Sequence, residues 1–417
     1  MSLAGFKNPY KPGAGHMPPH LAGREAEYAE FDRLLEQDTI LENMVLTGLR
    51  GVGKTVLLET FKPRAIERGW LWAQADLSEA ASVSETTLAQ RFLADLAVIT
   101  SSVMIDVQPG QQLGFAVDET GPERIPLSFD VLGSVFTTTP GLVEDKIKAV
   151  LEFAWTHLRR QGKSRVIFAY DEAQNLADNA PRDQYPLSVL LDVFQSIQRK
   201  DIPFMLVLTG LPTLFPKLVD ARTFAERMFR VVTLGKLDDD ESREAIERPL
   251  QVANCPVRFN ESSVATICRE SSGYPYFIQF ICREVYDVFI QQLSDDTPPG
   301  VPIEAIQRKL DADFFAGRWA RVTDRQRDLL WVVATLDHPN EEEFTIQQLV
   351  ARSKQILAKP FSPSHANQVL ASLATHGLIY KNRFGRYSFA APLLGRFITR
   401  TYGATGPGPA SRGDAAP

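Results

Sequence analysis

The sequence predicts an α/β fold in which a mainly parallel sheet is covered by helices on both faces. Apolar strand-like runs alternate with helical patterns from about residue 21 to residue 236, and this alternation is typical of parallel sheets. The predicted strands stop at about Leu237, and the pattern then becomes helical. We therefore expect a sheet domain at 21–236, followed by smaller domains.

Five strands and four main helices are predicted for the sheet domain. The strands are Met44–Thr47, Trp70–Leu77, Arg165–Tyr170, Pro203–Thr209 and Val231–Leu234, and the helices are Lys54–Arg68, Thr86–Ile99, Leu142–Arg160 and Leu187–Arg199. The stretch at about 100–140 interrupts this order with Gly, Pro and alternating apolar residues. It predicts a β-rich insertion of one or two hairpins.

The remaining segments flank the sheet domain. Residues 1–20 are rich in Pro and Gly and predict a flexible arm, whereas 403–417 predicts a disordered tail of small residues. A helical unit is expected at 237–300, with a hinge at 297–302 (TPPGVP). Residues 301–402 show three helices followed by a hairpin, which is the order of a winged helix-turn-helix.

Composition limits the classes of protein that the chain can belong to. Its 417 residues are 44% hydrophobic, which is enough for two or three cores. No apolar run reaches the roughly 20 residues of a membrane span, so we expect a cytoplasmic protein with no membrane partner. The net charge is −6. However, Arg318–Gly403 holds 12 Lys and Arg against 6 Asp and Glu, so the C-terminal end is basic.

The segment Gly48–Thr55 (GLRGVGKT) matches the phosphate-loop pattern GxxxxGK[ST], and it follows an apolar strand and opens a helix. Its glycines let the backbone N–H groups point at a phosphate, assisted by the helix dipole. Lys54 should bridge the β- and γ-phosphates of ATP, and the Thr55 hydroxyl should bind Mg²⁺. The expected nucleotide contacts are Gly48, Arg50, Gly51, Val52, Gly53, Lys54, Thr55 and Val56.

A pair of carboxylates ends the predicted strand Val166–Tyr170. In P-loop enzymes the first carboxylate, here Asp171, positions magnesium, and the second, here Glu172, polarises the attacking water. The alternative is a solvated acidic turn. Thr209 ends another strand and could hydrogen-bond the γ-phosphate or the attacking water, or it could simply be a turn residue.

These motifs resemble those of the AAA-like P-loop ATPases of the STAND and origin-recognition initiator groups. The resemblance covers about residues 21–400, and it implies a sheet with strand order 5-1-4-3-2, a helical lid and a C-terminal winged helix. It also implies ATP and Mg²⁺ as cofactors.

Two further motifs contribute to the resemblance. The segment Leu21–Glu27 (LAGREAE) resembles the GRExE box that lies against the adenine, which implies nucleotide contacts for Gly23 and Arg24. The lid contains Gly273-Tyr274-Pro275, similar to a GxP motif whose proline packs on the nucleotide. Tyr274 and Pro275 are therefore expected in the site.

The resemblance also implies functional arginines, for which this chain offers several candidates. The lid offers Arg283 as a sensor, several residues beyond the GYP motif. Candidates for an arginine finger acting on a neighbouring subunit are Arg222, Arg227 and Arg230, just before the last strand of the sheet. Any of these could instead form a surface salt bridge.

The predicted winged helix has two interpretations. Its wing carries Lys381, Arg383 and Arg386, which could contact the backbone of duplex DNA. The predicted third helix has no Arg or Lys from Ser364 to His376, so strong readout of guanine is not indicated. The same fold could instead act as an internal clamp or as an interface for a protein partner or for self-association.

Two functional hypotheses follow, and a third has little support. The first is a slowly hydrolysing ATPase switch in which the nucleotide controls the lid and the winged helix. The second is a DNA-binding initiator or a transposition-helper ATPase. A phosphotransferase is disfavoured because the sequence shows no acceptor pocket.

Overall fold

The computed structural model describes residues 7–13, 15–107, 123–255, 257–294, 300–336, 343–382 and 385–402. The chain divides into two compact units. The sheet unit comprises Glu25–Thr47 and Lys54–Thr233, and the lid unit comprises Met1–Arg24, Gly48–Gly53 and Leu234–Pro417. No helix in the described part of the chain is long and apolar enough to cross a membrane.

Helices and strands alternate along the first part of the chain. The helices are α1 (Glu25–Leu35), α2 (Lys54–Glu67), α3 (Glu85–Thr100), α4 (Phe129–Thr138), α5 (Val143–Arg160), α6 (Pro186–Gln198), α7 (Leu214–Ala221) and α8 (Ala225–Met228). The strands are β1 (Asn43–Gly48), β2 (Leu71–Asp76), β3 (Met104–Val107), β4 (Glu123–Pro126), β5 (Val166–Asp171), β6 (Phe204–Gly210) and β7 (Phe229–Leu234).

The five main strands form one sheet in the order β2-β5-β6-β1-β7. Read from β7 and numbered by position among these five strands, this is the predicted order 5-1-4-3-2, which is confirmed. The pairs β2/β5, β5/β6 and β6/β1 are parallel. Because the carboxyl ends of parallel strands share one edge, the residues that follow β5 and β6 lie at the same edge.

The central strands are buried against aromatic side chains of the helices. Every residue of β5 is buried, and the ring of Phe168 lies 5.7 Å from Phe92 and 5.5 Å from Phe194. Burying one such ring stabilises the fold by about 1.5–3 kcal/mol. The Tyr170 hydroxyl donates to Asp95 Oδ2 at 3.0 Å, and Arg91 pairs with the same carboxylate. The buried carboxylate of Asp95 and the buried hydroxyl of Tyr170 therefore both have hydrogen-bond partners.

The predicted β-rich insertion is only partly confirmed. Met104–Val107 and Glu123–Pro126 pair as an antiparallel hairpin. Phe129–Thr138 is a helix rather than a second hairpin. Its apolar residues recur at the spacing of a helix and not at every second position, and Leu132 among them is buried. Residues 108–122 lie outside the described part of the chain.

The lid unit contains the C-terminal helices and a small sheet. Its helices are α9 (Asp239–Val252), α10 (Glu261–Ser271), α11 (Pro275–Ser294), α12 (Ile303–Leu310), a π-helical turn (Asp311–Ala316), α13 (Gly317–Trp319), α14 (Asp324–Ala334), α15 (Ile346–Ile356), α16 (Pro363–Thr375) and α17 (Leu394–Tyr402). Its strands are β8 (Glu343–Phe344), β9 (Ile379–Lys381) and β10 (Tyr387–Phe389), in the order β8-β10-β9.

The last part of the lid unit has the predicted arrangement of a winged helix. Three helices, α14 to α16, precede the antiparallel pair β9/β10, and β8 adds a third strand. Helices α14 and α15 each begin at a capping box. Helix α9, earlier in the lid unit, begins in the same way at Asp238 and Glu241. Half of the predicted hinge (297–299) and the whole predicted tail (403–417) lie outside the described residues.

The N-terminal arm is docked in its described part. Tyr10 is 2% exposed, its hydroxyl donates to the carbonyl of Ile246, and its ring stacks on Phe259. Asn8 Nδ2 donates to the Arg283 carbonyl at 2.9 Å. The expectation of a flexible arm is therefore wrong for this segment, because one buried aromatic residue fixes it to the lid.

Candidate nucleotide-binding site

The phosphate loop connects β1 with α2, as the motif predicts. All six residues of β1 are buried, and α2 begins directly at Lys54. Gly51 and Gly53 have φ angles of +81° and +95°, which a residue with a side chain rarely adopts. Loops of this type present several backbone N–H groups to one anion, and the following helix N-terminus adds its dipole.

The loop backbone is held by side and main chains of the lid unit. The guanidinium of Arg24, which is 4% exposed, donates to the Val52 carbonyl at 3.0 Å and to the Gly235 carbonyl at 3.3 Å. The Tyr276 N–H donates to the Gly51 carbonyl at 3.0 Å. Arg24 thus fixes the loop, although the resemblance implied a contact with adenine. Tyr276 was not predicted, because nothing in the sequence near it indicates this contact.

Glycine is favoured at position 23 of the LAGREAE segment and at position 273 of the Gly273-Tyr274-Pro275 motif. Both residues have positive φ angles, and neighbouring atoms leave no room for a side chain. Gly23 has φ +62°, and a Cβ there would lie 2.3 Å from the Glu241 carboxyl carbon. Gly273 has φ +75°, and a Cβ there would lie 2.3 Å from the Leu237 carbonyl oxygen. Tyr274 is buried, and Pro275 opens α11. Contacts of these residues with a nucleotide remain predictions.

In the sheet unit, the predicted magnesium ligands lie together. Thr55 Oγ1 donates to Asp171 Oδ2 at 2.5 Å, and Asp171 is 3% exposed. Its other oxygen accepts from the Thr209 hydroxyl and, at 2.7 Å, from the Glu172 N–H. Thr209 therefore orients the Asp171 carboxylate, and its contact with a phosphate or the attacking water stays a prediction.

This donor set suits a magnesium ion. Mg²⁺ prefers oxygen ligands and usually takes one or two from the protein, completing its shell with water and phosphate oxygens. Thr55 and Asp171 supply a hydroxyl and a carboxylate on adjoining atoms. Within the described residues no group of three or more His, Cys, Asp or Glu could hold a metal ion. Thr55 and Asp171 are the residues that would hold the ion, with phosphate oxygens and water completing its shell.

Glu172 directly follows β5 and has a left-handed conformation with φ +52°. Its side chain is exposed, and its carboxylate accepts a hydrogen bond from Gln174 Nε2. The Oε1 of Gln174 accepts from the Leu211 N–H at 3.1 Å. Gln174 thus connects Glu172 with the end of β6, a contact that the sequence did not predict.

Asp76 is a third carboxylate at this edge of the sheet, and the sequence analysis missed it. It ends β2 opposite Asp171 in the register of β5. Burial raises the pKa of Asp76, and the negative charges of Asp171, Glu172 and Glu59 raise it further. In the sequence, Asp76 could have been recognised only by its position near the end of the predicted strand Trp70–Leu77.

Asp76→Asn should raise the stability of the nucleotide-free protein at neutral pH. The folded protein binds the Asp76 proton more tightly than the unfolded chain does, so this group's contribution favours folding at low pH and is lost as the pH rises through the raised pKa. Because Asp76 is exposed and solvent screens part of the repulsion, we expect a Tm increase of only about 1 °C at pH 7, which shrinks towards pH 4.

The control for this experiment is Glu79→Gln, an exposed carboxylate on the segment that follows β2. It should shift the Tm little at either pH. A Tm of the Asp76→Asn protein that is equal to or below that of the parent at pH 7 would show that the charge repulsion is unimportant.

Two of the three arginine-finger candidates form ion pairs within the sheet unit. Arg222 makes a bidentate contact with Asp192, with its shortest distance 2.6 Å, and Arg230 pairs with both oxygens of Glu30 at 2.9 Å. Arg227 is exposed and has no ion pair among the residues that the structure describes. It is therefore the most accessible of the three.

The wing residues can be placed only in part. Lys381 is exposed, with its ammonium 5.7 Å from the centre of the Tyr387 ring. Arg386 is exposed, and its N–H donates to Asn382 Oδ1 at 2.9 Å. Arg383 lies outside the described residues. The proposed DNA contacts of all three stay predictions.

Comparison with known proteins adds a family assignment for part of the chain. Residues 20–219 match the family of the AAA ATPase domain, and residues 312–398 match a domain of unknown function, DUF8462. The comparison with curated proteins found no match.

Comparison with solved structures finds a similar fold over nearly the whole chain in a Walker-type ATPase. A Walker-type ATPase of Pyrococcus abyssi has a TM-score of 0.57 at 16% identity, covering 91% of this chain and 96% of that one. The ORC2 protein of Aeropyrum pernix in its ADP form scores 0.48 at 13% identity, covering 93% and 95%. The ORC1 protein of the same organism, in complex with DNA, scores 0.45 at 13%, covering 92% and 94%. Residues 20–219 therefore match an AAA ATPase domain, and the chain has a fold similar to that of a Walker-type ATPase.

Proposed function

We propose that the protein is a slowly hydrolysing ATPase switch in which the bound nucleotide controls the lid helices and the winged helix. The observation that carries this proposal is the hydrogen bond from the Tyr276 N–H, in the first turn of α11, to the Gly51 carbonyl of the phosphate loop. A ligand that rearranges the loop backbone must alter this bond. The loop and the lid are thus coupled through the main chain itself.

The residues of the site have separate roles in this proposal. Lys54 and the loop N–H groups bind the phosphates of ATP, while Thr55 and Asp171 hold Mg²⁺. Glu172 orients the attacking water. In the structure its carboxylate is engaged by Gln174 and must leave that partner to act. This competition supports slow turnover, which a partner protein or a second copy contributing Arg227 could increase.

The test is ATP turnover by the purified protein, with and without duplex DNA. A switch should turn over slowly and at the same rate with DNA. No turnover and no nucleotide binding would refute the proposal, whereas stimulation by DNA would favour the second candidate.

The second candidate function is binding of duplex DNA by the winged helix, as in an initiator or transposition-helper ATPase. It is favoured by the exposure of Lys381 and Arg386 on the wing and by the exposed polar residues Ser364 and Gln368 on α16. Arginine and lysine on such a wing would contact phosphates and position the helix, with no direct readout of bases.

If this function is correct, neutralising Lys381, Arg383 and Arg386 to alanine should weaken DNA binding by at least about tenfold near 100 mM salt and make it less dependent on salt. Fluorescence anisotropy with a labelled duplex measures both effects. Lys62→Ala, an exposed lysine on α2, is the control. Equal binding by the wing variant and the parent would exclude this surface.

A further inference from the structure

Tyr10 anchors the N-terminal arm to the lid helices. Its ring is buried and stacks on Phe259, with the ring centres 6.2 Å apart, and its hydroxyl donates to the Ile246 carbonyl of α9. Burial raises the pKa of Tyr10, so the hydroxyl keeps the proton that it donates. The Tyr10 N–H donates to Asn8 Oδ1 at 3.0 Å, which forms a local turn just before the ring.

Polar contacts with α11 hold the same segment of the arm. Asn8 Nδ2 donates to Asp287 Oδ1 at 2.8 Å, and the Lys11 N–H donates to Gln279 Oε1 at 3.2 Å. Helix α11 is also the helix whose Tyr276 N–H is bonded to the phosphate loop. The arm therefore binds both α9 and the helix that contacts the loop.

Beyond Tyr10 the arm follows α9 back towards the first turn of that helix. Three contacts mark its path: Tyr10 with Ile246, His20 with Glu244 at 2.8 Å, and Gly23 with Glu241. Arg24 comes next in the chain, and its guanidinium donates to the Val52 carbonyl of the phosphate loop at 3.0 Å. One segment of chain thus has its anchor on the lid at one end and its contact with the loop at the other.

We propose that Tyr10 is a positioning residue for the nucleotide, acting through the arm on Arg24 and the phosphate loop. The inference rests on the proposed function, because the nucleotide is the ligand assigned to the loop there. An anchored arm has lost its backbone entropy before the ligand arrives, and a ligand that binds an ordered site does not lose that entropy a second time. Docking of the arm and binding of the nucleotide therefore favour each other.

The effect of Tyr10 should not depend on the number of phosphates. Arg24 holds a carbonyl of the loop backbone, and the loop is assigned to ATP and ADP alike. Both nucleotides should therefore gain the same affinity from the anchored arm. By thermodynamic linkage, a bound nucleotide must stabilise the docked arm by the factor by which the docked arm raises the nucleotide affinity.

The experiment compares the Kd values of ATP and ADP, measured by calorimetry with Mg²⁺ in the Glu172→Gln protein so that ATP is not consumed. Adding Tyr10→Ala should raise both Kd values about tenfold, because the arm must then be ordered when the nucleotide binds. Tyr10→Phe keeps the ring in its place and loses one hydrogen bond, so both Kd values should stay within about threefold of the parent values.

The control variant is Phe344→Leu, which removes a buried aromatic ring from β8, in the same unit but outside the arm and its contacts. It should lower the Tm of the protein and leave both Kd values unchanged. The comparison separates positioning of the nucleotide from a general loss of stability, because a loss of stability alone lowers the Tm without changing the affinity of the folded protein.

Amide hydrogen exchange gives the reciprocal measurement. A bound nucleotide should slow exchange of the Lys11 amide, which is bonded to Gln279, and Lys54→Ala should abolish this response. Parent-like Kd values in the Tyr10→Ala protein, a loss confined to ATP, equal losses in the Phe344→Leu protein, or a Lys11 amide that ignores bound nucleotide would each overturn the inference. If the parent protein binds neither nucleotide, the proposed function fails and this inference fails with it.

Discussion

Glu172→Gln is expected to retain ATP and to lower its turnover by about 100-fold or more. Glutamine keeps the size and the hydrogen bonding of the side chain, but it cannot accept a proton from the attacking water. The neighbouring carboxylate of Asp171 is buried and held by Thr55 and Thr209, so it is not free to replace Glu172.

The measurement is steady-state phosphate release together with the Kd of ATP. Glu79→Gln removes an exposed carboxylate elsewhere in the sheet unit and should leave both values unchanged. If the Glu172→Gln protein hydrolyses ATP within threefold of the parent rate, then Glu172 does not orient the water, and another group performs this step.

Lys54→Ala is expected to raise the Kd of ATP by about 100-fold or more. In the proposed function its ammonium contacts two phosphates, and truncating one partner of such a charge pair costs about 2–5 kcal/mol. Lys54 opens α2 and is only half-exposed. Calorimetric titration with ATP and Mg²⁺ measures the effect.

The control for Lys54 is on the same helix. Lys62→Ala removes an exposed lysine from α2 and should leave the Kd of ATP unchanged. Similar affinities for the Lys54→Ala protein and the parent would mean that the loop does not bind the nucleotide through this residue.

The sheet could be predicted from the sequence because its signals are local. Each main strand is a short apolar run bounded by a helical pattern, and the strand order followed from the resemblance. Tyr10 gave no such signal, since a single tyrosine in a Pro-rich stretch has no periodicity. The helix Phe129–Thr138 was missed because its first residues continue an alternating apolar pattern.

In the candidate site, too, the local motifs could be predicted from the sequence and the contacts between distant residues could not. Gly48–Thr55 and the Asp171/Glu172 pair are contiguous motifs, and the structure brings Thr55 to Asp171 as expected. The contacts of Tyr276, Gln174 and Asp76 are not local, because each depends on a partner that folding brings close from another element. For the same reason the sequence could not show that Thr209 binds Asp171.

The most direct test of the switch is amide hydrogen exchange in the Glu172→Gln protein with ATP, with ADP and without nucleotide. The amide of Tyr276 reports the bond to Gly51, and residues 300–320 report the segment that precedes helices α14 to α16. The account predicts that ATP changes exchange at both places, that ADP changes it less, and that Lys54→Ala abolishes the response. Exchange rates at both places that are the same in all three states, while ATP is shown to be bound, would contradict it.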